Sequence, residues 1–249
     1  LYLGSYPITP ATDILHHLAK LKEPGVITVQ CEDEIAGCLA VTTTSGPGLC
    51  LKSEAINLAV MTELPLVVID VQRGGPSTGL PTKSEQTDLL QALYGRNGES
   101  PLVVLSATSP SNCFDAAYWA SKIALEHMTP VILLTDGYIA NGATVWKIPN
   151  LEKLPAIQPP FVKGERSENW SPYQRDQQTQ VRTWAIPGTE GFTHRVGGLE
   201  KDFQSGDISS NPENHERMVK TRKAKIEYIA NCIPELKVRG NPSAKTLIA

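Results

Sequence analysis

The sequence predicts an α/β fold: a parallel sheet with helices on both faces, followed by a long extended arm that carries one helix. Two observations predict it. Across the first 136 residues, short apolar or β-branched runs alternate with stretches of helical spacing, the strand-and-helix rhythm of a parallel sheet. Beyond Asp136 the periodicity stops, and prolines, glycines and polar residues take over until one helical stretch near residues 212–232. We divide the chain accordingly into an α/β domain over residues 1–145, an arm over 146–245, and the start of a further, truncated domain at 246–249. With 249 residues the chain has material for one full core and a small additional unit.

Residues 12–21 place Ile14, Leu15, Leu18 and Leu21 on one helical stripe, after the turn-forming Pro7 and Pro10. Residues 26–29 form a short β-branched run. Residues 39–43 form another, which empties into the loop Ser45-Gly46-Pro47-Gly48. Helical spacing returns over 51–61. The nearly continuous apolar run from Pro65 to Val71 suits a strand covered on both faces. A long loop over 72–83 leads into a helix over 84–94. A strand over 102–105, a helix over 113–127 and a strand over 130–136 complete the rhythm, with right-handed crossovers.

One step does not fit. About nine residues separate the strand ending near Val29 from the one starting near Leu39, whereas a parallel crossover takes a dozen or more. Either that pair is antiparallel, or a helix is absent from this place in the chain.

In the arm, Trp146, Trp170 and Trp184 argue for ordered structure, since disordered chain is poor in aromatics. They also make the arm a candidate contact for a partner subunit. The helix over 212–232 mixes Arg217, Lys220, Arg222, Lys223 and Lys225 with Met218, Val219, Ile226 and Ile229, and its basic run reads as a solvated face. Thr246-Leu247-Ile248 reads as a strand cut short.

A net charge of -3 with 20% charged and 41% hydrophobic residues gives no electrostatic reason to seek nucleic acid and points to a small substrate. No apolar run approaches the roughly 20 residues of a membrane helix. The start has no charged signal-peptide region, and Leu1 is not an initiator methionine, so we expect an internal piece of a longer polypeptide. Cys31, Cys38, Cys50, Cys113 and Cys232 are odd in number and form no C-x-x-C pair. They read as free thiols in a reducing cytoplasm, with no zinc or iron-sulfur site. The five histidines show no metal spacing, His16-His17 included.

Four short stretches are richer than structure requires: Tyr6-Pro7-Ile8-Thr9-Pro10, Glu32-Asp33-Glu34, Thr42-Thr43-Thr44-Ser45-Gly46-Pro47-Gly48, and the loop from Arg73 to Lys83. All lie at predicted strand ends or connecting loops, where open α/β sheets bind ligands. The third lacks the Gly-Lys-Ser/Thr ending of a P-loop. In this order they resemble the pyrimidine-binding domain of 2-oxoacid:ferredoxin oxidoreductases, closest to the alpha subunit of the 2-oxoglutarate type. The longest match is PLVVIDVQRGGPSTGLPTKSEQTDLLQALYG from Pro65, joined later by HRVGGLE from His194 and NPENHERM from Asn211.

The resemblance implies a thiamine-diphosphate pyrimidine-domain fold and oxidative decarboxylation of a 2-oxoacid with coenzyme A and ferredoxin. In this family a glutamate protonates the far nitrogen of the aminopyrimidine, so that the amino group becomes the base for the thiazolium proton. Glu32 and Glu34 compete for that role, and the spacing to Ala36 favours Glu34. In the family a helix of small residues follows this glutamate. Here Gly37 and Cys38 run directly into the next strand, and most of that helix is missing. Thr9 and Arg73 match positions that meet the substrate carboxylate, Arg73 through a bidentate fork. A helix cap for Thr9 and a surface ion pair for Arg73 are the competing readings. Lys83 would meet a second carboxylate, which favours 2-oxoglutarate over pyruvate or branched-chain acids. Ser45 and Gly46 would contact the cofactor. The resemblance assigns the diphosphate, its magnesium and a [4Fe-4S] cluster to a beta subunit. The alternative from another class is a non-catalytic scaffold subunit.

Overall fold

The structure is a computed structural model that describes residues 2–4, 27–29, 39–80, 82–235, 240–241 and 243–246. Six strands form one sheet: β1 (Tyr2–Gly4), β2 (Ile27–Val29), β3 (Ala40–Thr44), β4 (Leu66–Gln72), β5 (Val103–Ser106) and β6 (Pro130–Asp136). Their order is β2-β1-β3-β4-β6-β5, and every pairing is parallel. Strands β2 and β3 therefore do not pair. Each lies alongside β1 in parallel, which removes the antiparallel alternative for the short link between them. That link falls mostly outside the described residues, as does the helix expected over 12–21.

Alternating residues on the strands bury two separate cores. On one face Leu66, Val68, Ile132 and Leu134 pack with Leu49, Ile56, Ala59 and Ala92. These come from α1 (Gly46–Leu51), α2 (Ser53–Thr62) and α3 (Leu89–Tyr94). On the other face Val67, Val103, Val131 and Leu133 meet Ala120, Ile123 and Ala124 of α4 (Cys113–His127) and Ile229 of α6 (Pro212–Ile229). Every residue of β6 is buried, as the unbroken apolar run required. A short α5 (Gly137–Asn141) leaves β6, capped by Asp136, whose carboxylate accepts from the Tyr138 and Ile139 amides.

Two local readings change. The Ser45-Gly46-Pro47-Gly48 stretch is the start of α1 and not a loop: Ser45 holds the extended N-cap conformation and Pro47 occupies the first turn, where its missing N–H costs nothing. The helix expected over 84–94 begins only at Leu89. Glu85, Gln86 and Asp88 are instead bound to neighbouring elements. The Glu85 carboxylate accepts from the Gly75 amide, Gln86 donates to Asp136, and the Asp88 amide donates to Gln72. Tertiary hydrogen bonds thus take the place of the first helical turn.

The arm is extended in backbone, with isolated bridges such as Phe161 to Trp184 and Arg175 to Arg182, and it folds back over the amino ends of the strands. Trp184 and Val181 pack there on Met128. Beside them lies Glu63, which closes α2 in the left-handed conformation (φ 53°). Its buried carboxylate receives both terminal nitrogens of Arg175 and the Lys225 ammonium, the latter at 2.5 Å. Arg182 donates to the Thr62 and Glu63 carbonyls, and Lys201 donates to that of Met61. The carbonyls left over at the end of α2 are satisfied this way. The basic run on α6 is thus only partly a solvated face: Lys220 and Lys223 are exposed, while Arg222 is buried against Glu200 and Lys225 against Glu63. Among the described residues no helix is long and apolar enough to cross a membrane.

Candidate functional site

The topology marks a place for a ligand. Strand β1 sits between β2 and β3, and the chain leaves β1 toward β2 but leaves β3 toward β4, in opposite directions along the sheet. At such a reversal the connections diverge and open a crevice at the carboxyl ends of the strands. Thr9 follows β1 and Glu34 follows β2 in sequence, and both lie outside the described residues.

Ser45 and Gly46 stand directly past the end of β3, on this edge. Ser45 is fully buried, and its hydroxyl, at the N-cap of α1, makes no capping bond and has no other partner among the described residues. Thr43, 1% exposed, likewise leaves its hydroxyl unpaired. Gly46 is held close to α3, since a Cβ added there would lie 2.7 Å from a carboxylate oxygen of Asp88. Arg73 follows β4, the next strand in the sheet. It is 8% exposed and its Nε has no partner among the described residues. A buried guanidinium with an open donor is not a surface ion pair, and that reading is set aside. An unpaired buried donor costs about 1–3 kcal/mol, which makes these groups candidates to meet a polar ligand.

The loop beyond Arg73 closes on itself. The Gly74 amide donates to the Lys83 carbonyl at 2.8 Å and the Leu80 amide to the Gly74 carbonyl at 2.9 Å. The backbone of Lys83 is thereby fixed one residue from Arg73, with its side chain exposed. Beside this loop, at the carboxyl ends of β5 and β6, opens a cleft of about 750 Å³ lined by Thr82, Ser84, Gln86, Ser109, Asp136 and Asn141.

Sequence reasoning missed one feature of this edge. Asp70, fully buried on β4 opposite Thr44, meets Asp88 at the start of α3. With both carboxyls ionised neither Asp70 oxygen has a donor. Burial, and then the neighbouring Asp88 carboxyl, push Asp70 up to about 8, so at neutral pH Asp70 carries a proton and donates it to Asp88. Asp88 is itself raised, chiefly by burial. The signal was present in the sequence: an aspartate inside an otherwise apolar central strand.

A parallel sheet with unpaired buried polar groups gathered at a reversal of strand order is a ligand-binding α/β unit, and the chain belongs to the family described as "Pyruvate flavodoxin/ferredoxin oxidoreductase, thiamine diP-bdg", whose model matches residues 2–214. Its relatives are more particular. The chain is 58% identical over 247 residues to a 2-oxoglutarate oxidoreductase subunit KorA of Mycobacterium tuberculosis, covering 95% of this chain and 37% of that one. It is 36% identical to a 2-oxoglutarate synthase subunit KorA of Methanothermobacter marburgensis, over 90% of this chain and 62% of the relative. Among solved structures, the 2-oxoglutarate:ferredoxin oxidoreductase from Magnetococcus marinus, with 2-oxoglutarate, coenzyme A and succinyl-CoA bound, superposes with a TM-score of 0.85 at 35% identity. That match covers 96% of this chain and 43% of the other. The chain therefore spans less than two thirds of the length of each of these relatives, 37% of the first.

Proposed function

We propose that the chain is the pyrimidine-binding part of a thiamine-diphosphate-dependent 2-oxoacid:ferredoxin oxidoreductase acting on 2-oxoglutarate, which yields an acyl-CoA and carbon dioxide and passes the electrons to ferredoxin. The observation that carries this reading is Arg73, buried at the carboxyl edge with an unpaired Nε and with the unpaired Ser45 hydroxyl just past the end of the adjoining strand, both without a partner among the described residues. A planar guanidinium in that position matches a 2-oxoacid carboxylate. The same unpaired groups suit the polar edge of an aminopyrimidine. Thiamine diphosphate, when bound, supplies the carbon nucleophile that makes loss of carbon dioxide feasible.

In this reading Glu34 shares a proton with the far pyrimidine nitrogen, and Ser45 and Gly46 line the ring. Thr9 and Arg73 orient the reacting carboxylate, and exposed Lys83 reaches the distal one. A beta subunit holds the diphosphate, magnesium and a [4Fe-4S] cluster, and the arm contributes contacts to it. Free Cys50, Cys113 and Cys232 agree with a cytoplasmic location.

The test is Glu34→Gln in the enzyme assembled from full-length subunits. Turnover of 2-oxoglutarate should disappear, and unchanged turnover refutes the assignment. Pyruvate or branched-chain acids turned over faster than 2-oxoglutarate would move the substrate reading to those relatives. A non-catalytic scaffold subunit is the second reading, favoured by the short link between β2 and β3. It predicts no thiamine diphosphate binding at all.

A further inference from the structure

We propose that Asp70 and Asp88 are positioning residues: a carboxyl pair that shares one proton and holds the Ser45-Gly46 turn in the shape the cofactor's pyrimidine requires. The inference rests on the thiamine reading above and concerns residues that it gives no role.

The geometry places the pair directly under that turn. Asp70 sits near the carboxyl end of β4, in register with Thr44, the last residue of β3 before Ser45. Asp88 caps the start of α3, and its amide is anchored to the Gln72 side chain at 3.0 Å. Its carboxylate lies close to Gly46, since a Cβ added there would be 2.7 Å from it. Next in the chain is the Ser45 hydroxyl, fully buried and without a partner, which marks the turn as facing a polar ligand.

With one proton present, Asp70 donates to Asp88 and draws its carboxylate down toward the strand. With none, two anions repel each other, Asp70 fully buried and Asp88 half-buried. Asp88, its amide held by the Gln72 side chain, then moves its carboxylate away from the strand and from its place against Gly46, so the turn loses the contact that sets its shape. Glu85 also acts on Asp88 and opposes a second charge on the pair. The Cys50 thiol of α1, raised by burial and then by Asp88 and Asp70, is neutral when the pair carries its proton. Loss of the proton centres on about pH 8.

The experiment measures the dissociation constant of thiamine diphosphate by titration calorimetry with the assembled full-length enzyme, at pH 7 and pH 9 and at a temperature far below melting. The natural enzyme should bind about tenfold more weakly at pH 9, the linkage expected for one proton lost near pH 8. In Asp70→Asn the amide donates to Asp88 without a titrating proton, so its affinity should vary less than about twofold over the same range. Asp88→Asn should flatten the profile in the same way and serves if the first variant folds poorly. A natural enzyme whose affinity does not fall, or variants that fall in parallel with it, overturn the proposal. A pair with a purely structural role would shift the melting temperature with pH and leave this binding profile unchanged between natural enzyme and variant. Absence of binding at pH 7 in the natural enzyme would refute the thiamine reading instead, so the two failures are distinct.

Discussion

Replacing Glu63 by glutamine should be among the most damaging single changes away from the functional edge. The Glu63 side chain is 4% exposed, and its two oxygens take Arg175 through both terminal nitrogens and Lys225 through its ammonium. Arg182 and Lys201 act on the same carboxylate. Glutamine keeps the shape but removes the negative charge at the centre of the cluster, leaving four cations crowded together out of water with Glu200 the remaining carboxylate acting on Arg175 and Lys201. Breaking a buried pair on one side costs about 3–5 kcal/mol, which in a domain of this size lowers the melting midpoint by about 10 °C. Urea unfolding followed by far-ultraviolet circular dichroism measures it. The pH dependence gives a second check. The neighbouring guanidinium and ammonium hold Glu63 well below the usual carboxylate range against the opposing effect of burial. Its contribution is thus complete above the unfolded value near 4.5 and is lost only as the pH falls through the depressed folded value. The gap between natural protein and variant should be as wide at pH 5 as at pH 7. A gap under about 1 kcal/mol, the range of a surface pair, or one already closed at pH 5, would refute the account.

Arg73→Ala should raise the KM for the 2-oxoacid about 10- to 100-fold, the loss of about 1.5–3 kcal/mol of charged hydrogen bonding, read from steady-state kinetics of the assembled enzyme. Gly46→Ala places a Cβ 2.7 Å from the Asp88 carboxylate and should weaken thiamine diphosphate binding, measured by calorimetry, more than it lowers the melting temperature. Asp136→Ala removes the cap of α5 together with the partner of Gln86 and should cost about 1–2 kcal/mol in urea unfolding.

The parallel sheet was legible because β4, β5, β6 and α4 obey simple periods: the runs beginning at Leu66, Val103 and Pro130 are too apolar for anything but a strand covered on both sides. Arg73 was singled out as a candidate through the family resemblance, and the structure buries it just past β4. The first turn of α1 was not legible, because glycine and proline signal a break locally and only the proximity of Asp88 and the strand ends shows why a helix begins there. Glu63 was invisible for another reason. In sequence it is an ordinary acid after a helix, and the residues that bind its carboxylate lie 112 and 162 positions further on. No local pattern carries information over that separation.

The return of the arm beneath the sheet bears on where this chain tolerates being cut. A fragment ending near residue 145 would keep all six strands yet leave Glu63 with no countercharge, the end of α2 without its donors, and Met128 stripped of Trp184. We therefore expect the change of architecture near Asp136 not to act as a seam. Proteolysis or truncation there should yield an aggregating remnant, and the smallest piece expected to fold by itself runs through to Ile229.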